Sequence, residues 1–192
     1  MSQGLSWRET RALMRSDFER VLGLVGMPRS PLMRLFWFIQ PNCLAMHLYR
    51  LSHHLHVNGW RKLAMVIYTV KVYLTRVEIP PSTVIGPHCL IGHFPIVLNG
   101  RIGARFTLYG NGGTGGGFGD EDIGGGPGLP VIGDDVVMAV RSMVLGPVRV
   151  GHGARLGPGC TVLRDVPDGG TVAAPPSRIS RGTAADPPDA AS

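Results

Sequence analysis

With 192 residues, 19 Lys or Arg against 13 Asp or Glu, and a formal net charge of +6, the chain is long enough to bury one sizeable core. Its basic residues are scattered, with no run of five and no interleaved aromatic platform, which argues against a nucleic-acid partner and fits attraction of a small anion. The 28 glycines and 16 prolines stand beside a 44% hydrophobic fraction, too high for a disordered chain, so some regular fold must use the glycines.

The opening MSQGLSWRET lacks the basic and apolar regions of a signal peptide, and no apolar stretch reaches the roughly 18 uncharged residues of a membrane span. Cys43, Cys89 and Cys160 are odd in number and widely spaced, with no CxxC or other metal-ligand spacing. A disulfide framework is not expected, and the chain reads as cytoplasmic, with no membrane span and no metal.

Residues 1–76 read as an α-helical region. Ser6 followed by Glu9 is a capping box, and Leu13, Phe18 and Leu22 form a rough apolar stripe behind it. A second helix runs through PLMRLFWFI and stops near Pro41. Asn42 then caps CLAMHLYRLSHHLHV, which ends at Asn58-Gly59. A last helix from Trp60 to Leu74 places Leu63, Ile67, Val70 and Leu74 on one face. His47, His53, His54 and His56 fall here, but no carboxylate or cysteine accompanies them as ligand or support, so they read as helix-surface or interface histidines.

Residues 77–180 carry a repeat. Ile132, Met138, Val144, Val150, Leu156 and Val162 recur every six residues, and a small or β-branched residue closes each intervening tetrad. Upstream, Ile79, Ile85, Ile91 and Val97 hold the same period; one residue is then lost, and Ile102, Leu108 and Thr114 resume it. A period of six fits neither an α-helix nor a hairpin. It fits a solenoid in which three short strands make one triangular coil, with aliphatic anchors pointing inward and Cys89 and Cys160 at small inward positions. His152 falls at a turn and reads as solvated. Between the repeats, 115–131 form a Gly-rich arm without the GK[ST] of a P-loop. The tail 181–192 has no apolar face and is expected to be disordered.

Two stretches resemble the serine O-acetyltransferase family of hexapeptide-repeat acyltransferases. HLYRLSHHLHVNG followed by VEIPPSTVIGPHCLIGH is similar to the end of that family's helical region and its first coils. LGPVRVGHGARLGPGCTVLRDVPDGGTVAAPPSRI is similar to its last coils and C-terminal loop. The resemblance implies a mainly β fold, a left-handed parallel β-helix preceded by the helical segment. It also implies a homotrimer with active sites between subunits and acetyl-CoA as co-substrate.

On the matching positions, His93 is the implied catalytic base and Glu78 the acidic group that orients it. An alcohol is a poor nucleophile until a base near neutral pKa takes its proton, which suits histidine. Gly92, Asp120, Glu121 and Asp122 are implied to border the acceptor, and Gly113, Ala139, Val140 and Arg141 the acyl-CoA groove. The family's charged grips on a free amino acid are replaced by Gly92, Gly128 and Leu129, so free serine is expected to be a poor acceptor. The expected activity is acyl transfer from CoA to the hydroxyl of a small molecule. A sugar or natural-product scaffold as acceptor and a catalytically inactive trimeric scaffold remain the alternatives.

Overall fold

The computed structural model describes residues 4–26 and 30–175, so the expected disordered tail at 181–192 lies outside the described residues. Four helices come first: α1 (Trp7–Leu24), α2 (Pro31–Ile39), α3 (Pro41–Val57) and α4 (Arg61–Thr75). The capping box opens α1, with Ser6 Oγ accepting from the Glu9 N–H and the Glu9 carboxylate accepting from the Ser6 N–H at 2.8 Å. Helix α3 starts at Pro41, ahead of the cap expected at Asn42, because proline suits the first helical position, where its missing N–H leaves nothing unpaired. Asn42 instead turns its amide toward the carbonyl of Ile91 (3.4 Å). Helix α4 ends where Arg76 takes a left-handed conformation, φ 54°, and the first strand follows at Val77.

From there the chain winds as a triangular solenoid. One face stacks β1 (Val77–Glu78), β4 (Ile96–Leu98), β7 (Gly113–Gly115), β10 (Met143–Leu145) and β13 (Thr161–Val162). The second stacks β2 (Val84–Ile85), β5 (Arg101–Ile102), β8 (Val131–Ile132) and β11 (Arg149–Val150). The third stacks β3 (Leu90–His93), β6 (Thr107–Gly110), β9 (Val137–Met138), β12 (Arg155–Leu156) and β14 (Thr171–Val172). All pairings within the three faces are parallel, so each coil lies about 4.8 Å from the next. Between the second and third faces the turns place His88, Arg105 and Asp135 in the left-handed region, with Gly153 and Gly169 in the equivalent places of later coils.

The six-residue anchors fill the interior: Ile79, Ile85, Ile91, Ile102, Leu108, Thr114, Ile132, Met138, Val144, Val150, Leu156 and Val162 are all buried. So are the closers Val136, Ser142, Val148, Ala154, Cys160 and Val166, and Cys89 as well. Val97 is the exception. It is exposed, while Ile96 and Leu98 on either side are buried. Counting from Ile96, the series Ile102, Leu108, Thr114 is in phase, so the repeat loses its residue between Ile91 and Ile96, at the His93–Pro95 turn, rather than after Val97. Burial of each Ile or Leu anchor is worth about 1.5–3 kcal/mol.

The helices are joined to the first coils by a buried ion pair. Arg50 of α3 donates from Nε to Asp17 Oδ2 of α1 (2.9 Å) and from a terminal nitrogen to Oδ1 (3.2 Å). Its remaining donors reach the carbonyls of Ile85 (2.5 Å) and Gly86 (2.7 Å), and Asp17 also accepts from the Cys89 N–H (2.8 Å). Arg20 of α1 adds bonds to the carbonyls of His88 and Phe106 and to the Thr107 hydroxyl. Replacing one member of such a pair strands the other in a dry environment. Asp17→Ala is therefore expected to cost about 3–5 kcal/mol in urea unfolding, and a loss below about 1 kcal/mol, the range of exposed ion pairs, would show that the pair does not join cap and solenoid.

Candidate active site

His93 ends β3 at the corner where the third face passes into the first, and its side chain is exposed. The same corner of the following coils is held to it by backbone hydrogen bonds. Asn111 N–H donates to the His93 carbonyl (3.0 Å), Arg141 N–H to Gly110 (2.9 Å), and Gly159 N–H to Val140 (3.0 Å). His93, Gly110–Asn111, Ala139–Arg141 and Pro158–Gly159 therefore form one column along an edge of the prism, with Gly113 just past the corner on β7. The structure brings the expected base and the expected cofactor residues onto one edge. A side chain at Gly113 is excluded, since a Cβ there would overlap the carbonyl of Val97. Val140 and Arg141 are exposed.

On the other side of His93 lies a cavity of about 370 Å³ between solenoid and helices. Val21 and Leu24 of α1, Trp37 of α2 and Pro41 of α3 face Phe94 and Tyr109 of the coils across it. Gln40 and Asn42 also line it. Among the described residues, no carboxylate, lysine or arginine lines this cavity, and His93 supplies an imidazole. These helical walls were not legible as site residues, because nothing in the spacing of Val21, Leu24 and Trp37 marks them as other than core.

The expected acceptor residues are divided. Gly92 adjoins His93 and lines the cavity. Asp120, Glu121 and Asp122 lie on the arm, are exposed, and do not line it. The arm is folded on itself. The Asp122 carboxylate accepts from the N–H groups of Gly124 (2.8 Å) and Gly126 (3.1 Å), and Gly128 N–H donates to the Glu121 carbonyl (2.9 Å). Arg101 and Arg149 tie the arm to the second face through the carbonyls of Gly124 (3.1 Å) and Ile123 (2.7 Å). Asp122 is thereby committed to turn formation.

Glu78 is exposed on β1, in register with Val97 of β4, the strand that His93 leads into. The ion pairs among the described residues are Arg15–Glu19, Arg50–Asp17, Arg105–Asp135 and the close approach of His152 to Asp134, and none links Glu78 to His93. The turn histidine His152 is exposed and accepts from the Asp134 N–H (3.0 Å). The cysteines are buried; burial pushes the Cys43 thiol up to about 11 and that of Cys89 up to about 12, so neither is a nucleophile near neutral pH. Among the described residues no group of three or more His, Cys, Asp or Glu converges as a metal site.

No family model matches the chain. Individual relatives do. A serine acetyltransferase of Bacillus pumilus is 38% identical over 138 residues, covering 70% of this chain and 62% of the relative. One from Helicobacter pylori is 33% identical over 162 residues, covering 81% of this chain and 90% of the relative. The chain belongs to the serine acetyltransferase family. The structure of a soybean serine acetyltransferase complexed with serine superposes with a TM-score of 0.71 at 26% identity, covering 89% of this chain and 69% of that one. The helical segment followed by a parallel solenoid is thus the serine acetyltransferase fold. The chain spans about 62% of the length of the Bacillus pumilus relative.

Two of the positions at which this serine acetyltransferase-family chain departs from the expected charged grips are closed by its backbone. A Cβ at Gly92 would overlap the Tyr109 carbonyl oxygen, and one at Gly128, φ 67°, the carbonyl oxygen of Gly119. A side chain there requires the neighbouring coil or the arm to move.

Lys71 of α4 belongs to no motif in the sequence. It is fully buried, donates to the Ile79 carbonyl (2.7 Å), and lies over the rings of Tyr68 (4.9 Å) and Tyr49 (5.9 Å). Burial lowers its ammonium to about 7 against the pull of nearby Glu78, and burial followed by the Glu78 charge raises the Tyr68 phenol. Between pH 7 and the free-lysine value of about 10.4, the unfolded chain binds the extra proton. Stability therefore rises with pH across that window, and the cost of burying the charge is fully present below it. Urea unfolding at about pH 6.5 and about pH 9 should show the wild type gaining stability relative to Lys71→Met as pH rises. Parallel pH dependence in the two proteins would contradict this account.

Proposed function

We propose that the chain is an acetyl-CoA-dependent O-acyltransferase that transfers an acetyl group to the hydroxyl of a small-molecule acceptor, and that it acts as a cytoplasmic homotrimer. The observation that carries this reading is the place of His93: exposed, with a ligand-sized cavity on its helical side and a column of coil turns on the other. The relatives' names supply the reaction class. Exposed apolar residues on the outer faces, Val84, Val97 and Leu163, suit packing of solenoid against solenoid. No helix among the described residues is long and apolar enough to cross a membrane.

In this reading His93 takes the proton of the acceptor hydroxyl as the oxygen attacks the thioester carbonyl. The C–S bond then breaks, and the imidazolium returns the proton to the departing thiolate. Glu78 serves as the carboxylate that favours the imidazolium, its rung lying beside the strand that His93 enters. Gly113 and the turn Ala139–Val140–Arg141 border the acyl-CoA, farther along the same edge. Gly92, beside His93, borders the acceptor, and the acidic arm residues Asp120 and Glu121 remain free to face a neighbouring subunit.

Release of free thiol from acetyl-CoA with a panel of hydroxyl acceptors tests the reading, since an inactive scaffold releases none. His93→Ala is expected to lower transfer by about 10²–10⁴ with little change in melting temperature, because the side chain is exposed; more than half of wild-type activity would remove His93 as the base. Glu78→Gln is expected to lower turnover less than His93→Ala, and an unchanged rate and pH profile would dissolve the pair.

A further inference from the structure

The helical layer exposes apolar side chains on three helices, and the charge around them has one sign. Helix α3 turns Met46 and Tyr49 into the solenoid core, and both are buried. On its opposite face Leu44, Leu48, Leu51 and Leu55 recur at intervals of four, three and four residues, and all four are only half-buried. Helices α2 and α4 both pack on α3. Every residue of α2 except Arg34 is apolar, yet none is buried, and Leu32 is 76% exposed. A helix that is apolar all round is ordinarily enclosed. Along α4, Ala64, Lys71 and Thr75 face in, while Val66, Val70, Tyr73 and Leu74 are exposed, Tyr73 to 86%. Apolar exposure shared by three packed helices marks a docking face rather than scattered surface residues.

The cations indicate what docks. Between Glu19 and Glu78 the sequence has no Asp or Glu and eight Lys or Arg. Arg50 and Lys71 are buried. Arg34, Arg61, Lys62 and Arg76 are exposed, and none of these four enters an ion pair among the described residues. A second copy docked through the same face by a two-fold axis would set cations against cations, with no carboxylate to offset them. Nor is this the part of the chain through which solenoid packs on solenoid in the proposed trimer. Helix α3 lies over the first coil, where Tyr49 bonds the Thr83 carbonyl (2.7 Å) and Arg50 that of Gly86 (2.7 Å). An occupant that is anionic at its surface and apolar beneath it matches both features.

We propose that the exposed side of α2, α3 and α4 docks on the surface of a bilayer carrying anionic lipids, with the apolar side chains entering the headgroup region and Arg34, Arg61, Lys62 and Arg76 meeting lipid phosphates. The helices lie on the bilayer and do not cross it, since α2 has nine residues and α4 fifteen against the roughly 20 of a span. Trp60, 65% exposed beside Arg61 and Lys62, suits the level of the headgroups, where aromatic rings with a polar handle collect. The inference stands independently of the acyl-transfer reading.

The test is co-sedimentation of the full chain with vesicles of phosphatidylcholine alone and of an equal mixture of phosphatidylcholine and phosphatidylglycerol. Binding to the mixed vesicles is expected to be at least about tenfold stronger, because each exposed cation adds attraction to an anionic surface. Leu32→Gln with Leu35→Gln is expected to weaken that binding at least about tenfold through lost apolar insertion. Arg61→Glu with Lys62→Glu is expected to do the same through charge. Both variants should keep the wild-type melting temperature, because the replaced side chains are exposed. Equal binding to the two kinds of vesicle, binding that neither pair of substitutions weakens, or no binding at all overturns the proposal. An assembly larger than a trimer in light scattering, dissociated by Leu32→Gln with Leu35→Gln, overturns it in favour of an interface between copies.

Discussion

The bidentate contact between Arg50 and Asp17 is the constraint on which the arrangement around His93 depends. The two residues sit on α3 and α1, and each also bonds backbone of the first coil, through Ile85, Gly86 and Cys89. A guanidinium and a carboxylate taken out of water lose several kcal/mol of hydration apiece, so the pair persists only because each remaining donor or acceptor finds a partner. That demand for complete satisfaction is directional in a way that apolar packing is not. It sets the angle and distance of α1 and α3 over the open end of the solenoid, and with them the positions of Val21, Leu24 and Pro41. The space between cap and coils is therefore a defined cavity rather than a sliding contact between two apolar surfaces.

The second determinant is the missing residue at the His93–Pro95 turn. Elsewhere each turn of the repeat returns the chain to the interior after six residues, and turn side chains point to solvent. Between Ile91 and Ile96 the return comes one residue early, so the chain reaches the first face with β3 extended through His93. The corner where the period breaks is also where the helices end above the solenoid. The imidazole is consequently placed at a corner that on one side opens into the helical cavity and on the other continues into the regular turns of Asn111, Arg141 and Gly159. Irregularity in the repeat coincides with the residue proposed as the base.

Much of this fold is legible in the residues because a six-residue period repeated through most of the solenoid has no other economical explanation, and because Ser6 with Glu9 marks a helix start by local hydrogen bonding alone. What local pattern does not carry is the phase of a repeat across a break. Val97 and Ile96 are both β-branched aliphatics, and only the count forward to Ile102 distinguishes which one faces in. Nor does it carry pairing at long range. Asp17 and Arg50 are thirty-three positions apart on helices whose apolar stripes would accept either residue at the surface. Lys71 is hidden for the same reason, since its burial beneath Tyr49 and Tyr68 is a property of how α4 meets β1. The candidate base was visible through its neighbours in LIGH; the walls facing it come from three helices and carry no motif.

Charge is distributed unevenly about His93. Most of the chain's cationic side chains, Arg141 on the corner beyond His93 among them, are exposed, and in the proposed acyl transfer they favour the approach of an anionic co-substrate from solvent at long range. The cavity on the helical side is lined by Val21, Trp37 and Phe94, and among the described residues no carboxylate, lysine or arginine lines it. Attraction that works at a distance requires exposed charge, whereas discrimination at close range works best where water is excluded and a misplaced charge is costly. The Arg50–Asp17 pair fixes α1 and α3 over the first coil, and with them Val21 and Pro41 beside His93.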